Sequence, residues 1–126
     1  MTRAPAASRV AVLGASPKED RYSFKAVRML KEHGFSPLPV HPAGHVVDGL
    51  KSLKSLEEIV DPIDTLTVYV NASVSSSELD RILKLKPRRV IFNPGAENPE
   101  LAEKLRKAAI EVVEACTLVL LRTEQY

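Results

Sequence analysis

A chain of 126 residues, 44% apolar and 27% charged, is long enough for one domain around one buried core and has the composition of an ordinary globular protein. A net charge of +2, with aromatic residues limited to Phe24, Phe35, Phe92 and three tyrosines, argues against the aromatic-studded basic surface of a nucleic-acid binder. No apolar run approaches the roughly 20 residues that span a bilayer, and one cysteine, Cys116, excludes an internal disulfide and suits a reducing cytoplasm.

Residues Met1 to Ser8 lack the apolar core of a signal peptide and read as a loose arm before a single domain over residues 9–126. The first strand is Val10 to Leu13. It breaks at Gly14 into small residues, then a polar loop, then a helical pattern from Ser23 to His33. Phe24, Val27 and Leu30 recur on one face there, and Gly34 is the stop. The second strand, Ser36 to Val40, carries Pro37 and Pro39, which remove ladder donors. Asp48-Gly49 marks a turn. Ser55 to Glu58 has the spacing of a capping box before a short helix that Asp61-Pro62 closes.

The third strand is Thr65 to Val70, rich in β-branched residues. Ser75 and Glu78 form a second capping-box pattern, before a helix that buries Leu79, Ile82 and Leu83 and ends ahead of Pro87. Arg89 to Phe92 is the fourth strand. Asn98 caps the next helix, with Pro99 at its first position and Leu101, Leu105 and Ala109 facing inward. Glu111 to Val113 is the fifth strand. The apolar tail from Thr117 to Leu121 reads as a further strand or a packed extended segment.

Strands alternating with helices predict an α/β, Rossmann-like domain. Its sheet is mostly parallel, of five or six strands, with helices on both faces. The expected order, numbering the strands along the chain, is 3-2-1-4-5, with a ligand crevice beside strand one at the carboxyl ends of the strands.

The residues just past each strand therefore bear on function. After strand one, Gly14-Ala15-Ser16-Pro17 admits a pyrophosphate to the backbone near a helix N-terminus, or is a plain tight turn. A dinucleotide fingerprint wants glycine where Ser16 and Glu19 stand. Lys18, Arg21 and Lys25 surround the loop and could meet phosphate charge, or remain solvated surface charges. After strand two comes His41-Pro42 and no acid for a ribose diol. His41 could meet an adenine or ribose edge, and it has no histidine or cysteine partner at ligand spacing, which argues against a metal. After strand three, Asn71 and Ser73 are free to bond a ligand, with Ala72 between them. After strand four, Asn93 to Asn98 is a rigid turn, a glycine and a helix start, offering a second set of amides. Cys116 reads as a buried, inert thiol. Glu97 and His41 could act as acid and base only if the fold brings them together.

With these residues in view, the chain resembles the stand-alone CoA-binding-domain proteins, which are similar to the CoA-binding N-terminal domain of the succinyl-CoA synthetase alpha subunit. The resemblance runs from Val10 to about Leu121. It rests on Val12-Leu-Gly-Ala-Ser-Pro17, Arg21-Tyr-Ser23, Pro39-Val-His-Pro42, Gly49 with Ser55-Leu56, Phe92-Asn-Pro-Gly-Ala-Glu-Asn98 and Glu114-Ala-Cys-Thr-Leu118. It implies binding of coenzyme A or an acyl-CoA. Gly14, Ala15, Ser16 and Pro17 would cradle its phosphates, and Val40, His41 and Pro42 would line the adenosine side. Asn71, Ala72 and Ser73 would close the crevice, with Asn93, Pro94, Gly95, Ala96 and Glu97 on the far wall. The family more often has Asn where His41 stands, and many members carry an arginine in the loop around Asn71. The resemblance carries no ligase chemistry, since the synthetase's phosphorylated histidine lies outside it. Two other readings stay open: a nicotinamide-nucleotide redox sensor or small oxidoreductase, and an interaction subunit with a vestigial pocket. A homodimer or a protein partner is compatible with each.

Overall fold

The computed structural model describes residues 2–126, so of the expected arm Met1 lies outside the described residues. Five strands form one parallel sheet: β1 (Arg9–Leu13), β2 (Ser36–Val40), β5 (Thr65–Val68), β6 (Arg89–Phe92) and β7 (Glu111–Glu114). A two-stranded hairpin, β3 (Val46–Val47) and β4 (Leu50–Lys51), turns at Asp48-Gly49, both with positive φ as a tight hairpin turn requires. The α-helices are α1 (Tyr22–Glu32), α2 (Ala72–Ser76), α3 (Leu79–Leu85), α4 (Pro99–Lys107) and α5 (Thr117–Arg122), and the short helix expected after Ser55 is a single 3-10 turn, Leu56–Glu58, capped by Ser55.

The sheet order is β2-β1-β5-β6-β7. In the numbering of the five expected strands this is 2-1-3-4-5, which corrects 3-2-1-4-5. The reversal still falls beside β1, now between β1 and β5. The prolines of β2 explain the edge position. The Pro39 carbonyl points away from β1 and accepts from the Leu53 amide at 2.9 Å, so the missing N–H groups of Pro37 and Pro39 face the outer side, where no full strand pairs.

Alternate residues of β1 feed two cores. Ala11 and Leu13 pack with Leu66, Val68, Ile82, Val90, Leu101 and Leu105 on one face. Val10 and Val12 pack with Phe24, Val27, Leu30, Leu120 and Leu121 on the other. The sheet is therefore covered on both faces, by α3 and α4 on one side and by α1 and α5 on the other.

The third strand ends at Val68 instead of Val70, and four other local expectations change. The tail is the helix α5 and not a strand; a six-residue apolar stretch with Leu118, Leu120 and Leu121 buried has too few turns to declare its period. Ser75 is not a cap. Asn71 takes that role for α2, accepting from the Val74 amide at 3.0 Å, and α3 starts separately after Glu78, whose side chain makes no capping bond. Ala109 lies past the end of α4 with φ 65° and is exposed. The described residues of the arm are tied down: the Thr2 amide donates to Glu111 at 2.8 Å and the Ala4 amide to the Tyr126 carbonyl at 2.8 Å.

Arginines organise that amino-terminal pole of the sheet. Arg88 holds Asp64 through two bonds of 2.7 and 3.0 Å and Glu111 at 3.1 Å. Burial alone would raise the Asp64 carboxyl, but Arg88 and the Thr65 hydroxyl outweigh it and hold it below the usual carboxylate range. Arg89 is fully buried, donates to Thr65 at 3.0 Å and lies over the Tyr126 ring at 4.4 Å. Burial pushes the Tyr126 phenol up to about 12.

Candidate functional site

The crevice lies at the carboxyl ends of the strands, and Gly14 is its waist. A Cβ at Gly14 would stand 2.7 Å from Val70 Cγ1 and 3.3 Å from the Tyr69 carbonyl carbon, and its φ is +88°. Glycine is thus required twice, by the turn and by the close approach of the chain leaving β5.

On one side of the waist is a cavity of about 520 Å³ with mostly aliphatic walls: Leu13, Val40, Pro42, Leu56, Val70 and Val74. His41, Lys54, Ser55, Glu78 and Arg81 supply its polar groups. On the other side is a second lobe of about 510 Å³, lined by Ser16, Lys18, Arg21, Tyr22, Ser23, Tyr69, Asn71, Pro94, Gly95 and Ala96. Gly14 and Val70 border both lobes. A further depression of about 600 Å³ involves Ile59 to Pro62 and Lys84 to Lys86. These segments precede β5 and β6, at the amino ends of the strands, and it contains none of the expected site residues.

Of the expected residues, Gly14, Val40, His41 and Pro42 meet in the aliphatic lobe, and Gly14, Ser16, Lys18, Arg21, Ser23, Asn71, Pro94, Gly95 and Ala96 meet in the cationic lobe. Pro17, Lys25, Ala72 and Ser73 are exposed but border neither. Ala15 is fully buried among Phe24, Val27 and Leu120, so its side chain is core.

The loop's own amides are not the anion donors the glycine turn suggests. The Gly14 and Ala15 amides both donate to the Val40 carbonyl, at 2.9 and 3.3 Å, and the Ser16 amide donates to Ser23 Oγ at 3.0 Å. They lock the loop to β2 and to α1. What remains for an anion is α1 itself. No side chain caps its N-terminus, no acidic residue occupies its first turn, and Lys18 and Arg21 stand beside it.

The opposite wall differs. The Gly95 amide is held by Glu97 at 2.9 Å and the Leu101 amide by Asn98 at 3.1 Å, so this second expected set of amides is partly closed. Glu97 does not share a lobe with His41, and an acid–base pair of the two is not formed. Asn71 and Ser73 are likewise engaged, Ser73 donating to Asn71 Oδ1 at 2.9 Å.

Asn93 is structural. Only 2% exposed, it donates to Thr67 Oγ1 at 2.7 Å and to the Val68 carbonyl at 2.9 Å, and accepts from the Thr117 amide at 2.9 Å. It fastens β5, β6 and α5 together. Asn93→Ala strands those buried partners and is expected to cost about 3 kcal/mol, roughly 10 °C of melting temperature in a thermal melt, without changing the charge of the crevice.

His41 accepts from the Ala43 amide through Nδ1 at 3.0 Å, which leaves its other nitrogen as the donor of a neutral ring. Burial, then the adjacent His45 ring at 4.7 Å, lowers its pKa. That neighbour, four residues on, is a partner the sequence reading overlooked. Among the described residues no group of three or more His, Cys, Asp or Glu could hold a metal. Cys116 is half-buried rather than buried, at the start of α5. No helix of the described residues is long and apolar enough to cross a membrane.

Lys54, Ser55, Glu78 and Arg81 were not foreseen in the site. The hairpin brings the first two in: Leu53 bridges to Val40 and accepts from the His41 amide at 2.8 Å, extending the sheet edge over the crevice. Nothing in a local pattern announces that excursion.

The sequence model of a family described as a CoA binding domain matches residues 8–122. A solved structure of an uncharacterized protein is 40% identical, with a TM-score of 0.91 over 97% of this chain and 100% of its own. A Thermus thermophilus protein, cell-free ID.343, is 31% identical, with a TM-score of 0.85 over 95% of this chain and 91% of its own. The uncharacterized protein YneT of Bacillus subtilis is 27% identical over 112 residues, 88% of this chain and 83% of its own.

Proposed function

The chain belongs to the CoA binding domain family, and from that premise we propose that it binds coenzyme A or an acyl-CoA in the crevice astride Gly14, as a protein that senses, sequesters or delivers the cofactor. The observation that carries this reading is the polarity of the two lobes. One has mostly aliphatic walls, with Lys54 and Arg81 among its polar groups, and suits a nucleobase; the other gathers Lys18, Arg21 and the uncapped N-terminus of α1, and suits a diphosphate. The segment after β2, His41-Pro42, supplies no acid, where a nicotinamide-dinucleotide fold places its ribose-binding carboxylate.

Calorimetric titration with coenzyme A, acetyl-CoA, NAD and ATP tests it. A CoA species is expected to bind tightest. Tighter binding of NAD than of either CoA species would defeat the reading and restore the nicotinamide alternative. Native mass spectrometry of freshly purified protein reports in the same sense: a retained mass of a CoA species supports it.

A further inference from the structure

Glu78 is the group in the aliphatic lobe whose hydrogen bonding the fold leaves incomplete. Its Oε2 is sealed from solvent and receives no hydrogen bond from any described residue, while Oε1 stands 3.7 Å from Arg81. Its own helix does not use it, for Glu78 sits at the start of α3 without capping it. A carboxylate oxygen withdrawn from water with nothing donating to it is disfavoured, and native structures seldom keep one without a reason.

The surroundings say what kind of donor is missing. The walls nearby are aliphatic, including Val40, Pro42, Leu56 and Val74, and suit a flat ring. Lys54 and Arg81 line this lobe as Lys18 and Arg21 line the other, but a phosphate brings no hydrogen to a carboxylate that lacks a donor. The fitting occupant is a planar base carrying an N–H donor on its edge.

We propose that Glu78 is a specificity-determining residue of the crevice, its carboxylate turning about its soft terminal torsion to accept a hydrogen bond from the exocyclic amino group of adenine. The inference rests on the coenzyme A reading above. It makes the lobe selective for a 6-amino purine, because a 6-oxo purine would set its oxygen against the carboxylate with no proton between them.

The test is the affinity ratio of coenzyme A to its 1,N6-etheno derivative, in which the bridge removes the amino hydrogens. It is measured by titration on the wild type, Glu78→Ala and Glu78→Gln, with thermal melts to confirm folding. The wild type is expected to favour coenzyme A by roughly 10-fold or more, as for a charge-assisted hydrogen bond. Glu78→Ala is expected to bring the two ligands within about 2-fold of each other, and Glu78→Gln, whose amide oxygen still accepts, to keep part of the preference. An unchanged ratio in Glu78→Ala overturns the proposal. So does an equal loss for both ligands, which would place the carboxylate on a ribose hydroxyl instead. Those outcomes leave coenzyme A binding standing, whereas a wild type that binds neither ligand removes both readings together.

Discussion

Gly14→Ala is expected to lose roughly 10 °C or more of melting temperature, and Gly14→Asp to yield little folded protein. A side chain at φ +88° is strained, at a cost of about 1–3 kcal/mol. The added Cβ also falls 2.7 Å from the Val70 methyl and 3.3 Å from the backbone carbon of Tyr69. The methyl can move; the backbone cannot, because the Tyr69 amide is bonded to the Leu13 carbonyl at 2.9 Å. Overpacking of this kind adds about 1–3 kcal/mol. A Gly14→Ala/Val70→Ala double variant should recover part of the loss by removing the closest contact. Gly14→Ala melting with the wild type would show that neither the turn nor the close approach constrains this position. One consequence concerns binding: an aspartate here would abolish it by unfolding the waist, so loss of affinity in that variant says nothing about phosphate.

The cleaner probe of the anion lobe is Lys18→Glu/Arg21→Glu. Both residues are exposed and border the lobe, and Arg21 is the uncapped first position before α1. Glutamates there complement the helix dipole, so the fold should be as stable as the wild type or slightly more so. The same charges repel a diphosphate and remove two cationic donors. Affinity for coenzyme A is expected to fall by about 100-fold at low salt and by less at high salt, where screening weakens both the native attraction and the introduced repulsion. This separation of stability from binding distinguishes a site from a merely basic surface. Wild-type affinity in the double variant would locate the diphosphate elsewhere.

The sequence and the structure agree where a feature is set within a few residues. The strand Arg89 to Phe92 and the cap of Asn98 with Pro99 behind it need no distant partner, and both stand where the pattern places them. So do the run Ser36 to Val40 and the burial of Phe24, Val27 and Leu30. The candidate loop was legible as a place but not as a mechanism. A glycine turn followed by small residues looks the same whether its amides point at a ligand or, as here, at the Val40 carbonyl and Ser23. Likewise Ser75 and Glu78 have capping-box spacing, yet Asn71 captured the helix start. Glu78 was thereby released into the crevice, and Ser75 became a partner of Asn98 at 2.8 Å.

Strand order is the instructive case. Pro37 and Pro39 both lack donors on one side of β2, and a fully paired strand on that side would forfeit those bonds. The two prolines alone thus favour an edge position and count against the order 3-2-1-4-5. Alternating periods along the chain were enough to specify a parallel α/β sheet with a crevice beside its first strand, because burial on two faces leaves few other arrangements. Which strand completes the crevice, which amides stay free, and which side chains from the hairpin and α3 reach it depend on contacts between segments far apart in the chain. Those were settled only when the whole chain packed, because each such group takes whatever partner the finished fold brings within reach.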